Sequence, residues 1–66
     1  MYTPSTRERV EVTGQPGIFL VIAVDFARRS ADLIPLAGAS FGLEGVSFAA
    51  LRPSERETPP LTAANP

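Results

Sequence analysis

Glycine and proline interrupt this chain so often that little room is left for helices: there are five of the first and seven of the second in 66 residues. Proline removes a backbone donor and glycine costs backbone entropy, so neither is at home inside a helix. The longest apolar run, Ile18 to Val24, has seven residues. It is β-branched and aromatic, and too short for a helix of ordinary length, so it reads as strand. That leaves Asp25 to Ile34 as the best remaining helical window free of both breakers. With Ser30 and Asp32 inside it, such a helix would be marginal. Strands joined by tight turns are the expected content.

The chain divides into three zones. Residues 1–6 are polar, contain Pro4, and are expected to form a flexible lead-in. Residues 7–53 hold nearly all the large apolar side chains and form the domain. Residues 54–66 carry Pro59, Pro60, Pro66, Glu55 and Glu57, with Leu61 as the single large apolar side chain. Such a tail buries too little to offset its ordering entropy, and is expected disordered or docked.

Within the domain, Arg7 to Thr13 alternates, with Val10 and Val12 on one face and Arg7, Arg9 and Glu11 on the other. Gly14-Gln15-Pro16-Gly17 is a turn, and Ile18 to Val24 the second strand. A charged connection, Asp25 to Ser30, leads to a third strand over Ala31 to Ala37. Pro35 lacks a ladder donor, so this strand is expected at an edge or bulged there. A loop over Gly38 to Gly42 precedes a fourth strand, Leu43 to Phe48. Ala49-Ala50-Leu51 fits one tight helical turn before Arg52-Pro53. The expected inward set is Val10, Val12, Phe19, Val21, Val24, Leu33, Val46, Phe48 and Leu51. Both Val21 and Val24 face inward only if a bulge falls near Ile22-Ala23.

This order of spacings (Val10-x-Val12, Gly14-x-x-Gly17-x-Phe19-x-Val21, Val24-Asp25, Ala31-Asp32-Leu33, then Val46-x-Phe48-x-x-Leu51-Arg52-Pro53) resembles that of SH3-like barrels. The resemblance implies an all-β fold: a small SH3-like barrel of about five short strands with one 3-10 turn before the last. Such barrels host peptide binders, RNA and chromatin readers and a few enzymes, so the fold leaves function open.

Composition narrows the chemistry. The chain has no Cys, His, Lys or Trp, and its six cations are all arginine. Zinc fingers, His- or Cys-based nucleophiles, a P-loop lysine and Schiff-base chemistry are thereby excluded. No metal and no cofactor are expected. Ser30, Ser40 and Ser47 have no histidine to activate them, and no Gly-x-Ser-x-Gly occurs. Asp25 and Asp32 flank Arg28-Arg29 and read as a solvated, ion-paired hairpin. Arg28 and Arg29 are the candidate contacts for an anion or an acidic partner, since guanidinium forks suit carboxylate and phosphate alike. A formal charge of −1 and a pI near 5.1 argue against a nucleic-acid partner. No run approaches the roughly 20 apolar residues that span a bilayer, and the N-terminus lacks the pattern of a signal peptide. A cytoplasmic protein without membrane contact is expected.

A second, narrower likeness concerns Gly45 to Leu51, which is similar to the strand of plasmid-type (type II) dihydrofolate reductases. Those SH3-like chains assemble as tetramers around a shared pore. The family's Val-Gln-Ile-Tyr would fall on Val46-Ser47-Phe48-Ala49. Ser47 and Ala49 replace the amide and phenol, and the functional lysine has no counterpart, so the likeness implies architecture rather than activity. It keeps a pore-forming homotetrameric enzyme as the alternative reading, with a nucleic-acid-associated barrel behind it.

The parity of the apolar residues carries the main expectation. Ile18, Leu20 and Ile22 oppose Phe19 and Val21, and Ile34 and Leu36 oppose Leu33. A small barrel has one inside, so these five form an outward apolar patch, which monomers rarely leave bare. A non-enzymatic self-assembly or protein-interaction module is therefore expected, a homo-oligomer or a protein partner covering Ile18, Leu20, Ile22, Ile34 and Leu36.

Overall fold

The computed structural model describes residues 2–54. It is all-β, with strands β1 (Arg9–Val12), β2 (Phe19–Asp25), β3 (Ser30–Pro35), β4 (Leu43–Ser47) and β5 (Leu51–Pro53). A single 3-10 turn, Phe48–Ala50, joins β4 to β5. Among the described residues there is no α-helix. The five strands form one antiparallel sheet in the order β4-β3-β2-β1-β5, so that β4 and β5 are its two edges and the sheet is not closed.

The core follows the alternation of the strands. Val10, Val12, Phe19, Val21, Leu33, Phe48 and Leu51 are buried, and Val24 and Val46 pack partly buried against them. Ala31, on the same face of β3 as Leu33, completes the set. The expected bulge lies where the valine spacing requires it: Val21 pairs with Leu33 and Ala23 with Asp32, leaving Ile22 as the extra residue. A second bulge was not read from the sequence. Ala31 pairs with Val46 and Leu33 with Leu43, so Glu44 and Gly45 together oppose Asp32. Gly45 takes φ +64, and its N–H donates to Asp32 Oδ1 at 2.9 Å. A third irregularity precedes β1, where Val21 O accepts from Arg7 N–H at 2.7 Å while Val21 N–H donates to Glu8 O at 2.9 Å. Arg7 holds φ 71 there. Each bulge bends its strand and increases local twist, which curls so short a sheet around its core.

Several boundaries differ from the sequence reading. Phe48 opens the 3-10 turn instead of ending β4, and Leu51 begins β5. Pro35 closes β3. Since Leu36 N–H donates to Ile18 O, the Pro35 nitrogen points away from β2, to the side where β4 pairing has stopped at Leu43. Against expectation β3 is an interior strand, between β4 and β2, with no bulge at Pro35; the missing donor is tolerated because it falls where pairing with β4 has ended. The lead-in is seated: Pro4 is fully buried and Tyr2 packs against the core. A proline brings apolar area at low entropic cost, which favours such docking. Of the expected tail, Ser54 is buried with its N–H on Arg9 O at 2.9 Å, and residues 55–66, with Leu61, lie outside the described residues.

Candidate interaction surfaces

The five outward residues are brought together on the outer face of β2 and β3. Leu20 pairs directly with Ile34. Ile18 accepts from Leu36 N–H and donates to Ala37 O, both at 2.8 Å, so the row continues past the strand ends. Ile22, Ile34 and Leu36 remain 49%, 39% and 42% exposed, while Ile18 and Leu20 are half-buried. On the β1 side Arg9 pairs with Leu20, and Glu11 follows it on the same side of the strand, its Oε1 accepting from Arg52 Nη2 at 2.9 Å. On the β3–β4 side stand Asp32 and Glu44, which wall a cleft of about 530 Å³ over Ile22, Ile34 and Leu43.

Arg28 and Arg29 sit elsewhere, at the tip of the hairpin beyond the Asp25↔Ser30 pair. Asp25 Oδ1 accepts from Arg28 N–H at 3.1 Å, and its Oδ2 lies 3.9 Å from Arg28 Nε in a well-exposed pair that contributes little. Asp32 does not join them, because its carboxylate faces Gly45. Arg29 takes φ 55, and its carbonyl accepts from Phe48 N–H at 2.9 Å. Beside it Phe26, 66% exposed, meets the Phe48 ring edge-on at 6.3 Å and 77°. Thr3, Phe26, Arg29 and Phe48 line a shallow cleft there. Sequence reasoning singled out neither Phe26 nor Phe41, the latter 78% exposed; the signal was an aromatic inside a loop that strand parity does not use.

No three carboxylates cluster as metal ligands among the described residues. Burial, and then the neighbouring Glu8 carboxylate, pushes the Tyr2 phenol above its ordinary range, so it keeps its proton at neutral pH. Ser47 caps the 3-10 turn, its Oγ accepting from Ala49 N–H at 3.2 Å. Ser47→Ala is expected to cost about 0.5–1 kcal/mol, the usual worth of such a cap, read as a shift in the urea midpoint. No helix among the described residues is long and apolar enough to cross a membrane. Comparison with protein-family models, with curated proteins and with solved structures finds no match.

Proposed function

We propose that this chain is a non-enzymatic interaction module on an SH3-like barrel, and that it acts by self-association through the outer face of β2 and β3. The SH3-like reading is supported by the strand order β4-β3-β2-β1-β5 and by the 3-10 turn between β4 and β5. One observation carries the functional reading: Ile18, Leu20, Ile22, Ile34 and Leu36 form a contiguous apolar face outside the core. Apolar area in that arrangement is stabilised by leaving water, and a second copy is the simplest closed way to cover it. The position of Ser47 also favours a binding role over the reductase alternative. Its hydroxyl is occupied in capping, and Ala49 offers no polar side chain.

Sedimentation velocity and light scattering at micromolar concentration test the reading. The native chain is expected to associate, and Ile34→Glu to raise the dissociation constant at least about 30-fold, the scale of a hot-spot loss. Ile34 is exposed, so its circular dichroism and melting should stay native-like. A monodisperse monomer in the native chain overturns the reading. A monomer that associates only after removal of residues 55–66 would give the face to the chain's own C-terminal segment instead.

A further inference from the structure

The outer face of β2 and β3 is bounded by charged side chains on three sides and by none on the fourth. Arg9 and Glu11 flank it along β1, Asp32 and Glu44 toward β4, and Asp25 and Arg28 stand at the β2–β3 hairpin. At the remaining end Ile18 meets Leu36 and Ala37, and the two stretches that come together there, residues 12–24 and 33–43, contain no charged side chain. This end opens on a cleft of about 310 Å³ lined by Gln15, Pro16, Phe19, Ser40, Phe41 and Leu43. Phe41 forms one wall and is the most exposed large apolar side chain among the described residues. Leu43 also lines the cleft over Ile22 and Ile34, so the apolar face and the Phe41 cleft adjoin. The two loops that frame the cleft are fixed to one another. Ile18 N–H donates to Ala37 O at 2.8 Å, and Gly17 lies so close to the second loop that a Cβ there would stand 2.5 Å from Ala39 N.

The five-residue face is too small to hold two copies together by itself. Its side chains, two of them half-buried, offer on the order of 300 Å², whereas a stable interface of standard size takes about 800 Å² from each partner. The contact has to extend, and charged residues are depleted from the desolvated centre of an interface. Among the described residues, only the Ile18–Leu36 end lets it extend without burying charge. We infer that the second copy continues over this end, and that Phe41 of each copy inserts into the cleft of the other between Pro16 and Leu43. This rests on the proposed role of the face in self-association. A two-fold contact brings the same patch from both copies together, so a protruding ring beside a receiving cleft serves both at once. An apolar cavity of about 150 Å³ takes a benzene ring, so this cleft has room for a phenyl group and the loop that carries it. Buried Phe19 and half-buried Leu43 give it an apolar floor, and its polar lining, Gln15 and Ser40, is uncharged. An aromatic side chain seated in such a pocket is the usual anchor of an interface. Because Gly17 already locks the two loops together, little ordering is left for binding to offset.

Two substitutions test the insertion from its two sides. Phe41→Ala removes the ring, and Gln15→Arg sets a charge at the wall of the cleft. Both positions are exposed, so the urea midpoints should stay near native. In sedimentation velocity, Phe41→Ala is expected to raise the dimer dissociation constant at least about 30-fold, the scale of a hot-spot loss. Gln15→Arg is expected to raise it about 10-fold, because the incoming ring would desolvate an unpaired guanidinium. Mixing the two variants in equal amounts then separates reciprocal insertion from a general weakening. The heterodimer regains one intact contact, the Phe41 ring of one chain in the unblocked cleft of the other, which neither homodimer has. Native mass spectrometry is expected to show it well above the statistical half. If Phe41→Ala dimerises like the native chain while Ile34→Glu does not dimerise, the insertion is overturned and the face stands. A heterodimer at its statistical share also overturns the insertion. If the native chain does not associate at all, both readings fall.

Discussion

Replacing Phe48 with alanine is expected to abolish cooperative folding at 25 °C. The ring is 3% exposed and sits among Val10, Val12, Phe19, Val21, Leu33 and Leu51. It also begins the 3-10 turn that carries the chain from β4 to β5, with its N–H held by Arg29 O. Truncating a buried aromatic costs about 3–5 kcal/mol in transfer and cavity terms. Whole domains hold only about 5–15 kcal/mol, and one this small lies toward the bottom of that range. The loss should therefore appear as a missing or strongly shifted urea transition. Phe26→Ala is the matched comparison, since it removes the edge-on partner of Phe48 from an exposed site and should cost about 1 kcal/mol. If Phe48→Ala melts within about 1 kcal/mol of the native chain, the 3-10 turn is not the element that joins the two ends of the sheet to the core.

What could be read beforehand is what local parity controls. Alternation in Val10 and Val12, in Phe19 and Val21, and in Leu33 placed the inner face, and the three-residue step from Val21 to Val24 put a bulge near Ile22-Ala23, where the pairing leaves Ile22 as the extra residue. The same step from Leu43 to Val46, with Gly45 between them, marks the second bulge and was equally open to reading. Other features depend on pairing between distant segments. Pro4 and Tyr2 belong to a short polar lead-in, and only the assembled sheet provides the surface that buries them. The outward apolar set was legible because parity assigns it, but its charged neighbours were not: that Arg9 adjoins Leu20 and that Glu11 meets Arg52 follows only once β1 is known to lie between β2 and β5. Phe26 and Phe41 escaped for the opposite reason, because loop aromatics follow no period.

Gly17→Ala is expected to be the most damaging change outside the core. Gly17 holds φ +94, a conformation that side chains with a Cβ rarely adopt. A Cβ there would lie 2.5 Å from both Ala39 N and the Gly38 carbonyl carbon, and 2.7 Å from Ala37 O. All three are backbone atoms, so no flexible side chain can yield to it. The crowding falls beside the bond from Ile18 N–H to Ala37 O at 2.8 Å, which holds the first turn against the β3–β4 loop. Strain of the left-handed backbone and overpacking together should cost about 2–5 kcal/mol. Gly14→Ala separates the two contributions. Gly14 has a similar φ of +82, yet nothing lies within 4 Å of its would-be Cβ, so it bears the conformational cost alone. That cost is about 1 kcal/mol. Urea denaturation of both variants should show Gly17→Ala losing at least twice what Gly14→Ala loses. It should also loosen Ile18 and Leu36, which belong to the proposed self-association face, and on that proposal weaken association as well as folding. Equal losses in the two variants would mean that the two loops do not bear on one another, and that the outer face is not anchored at Gly17.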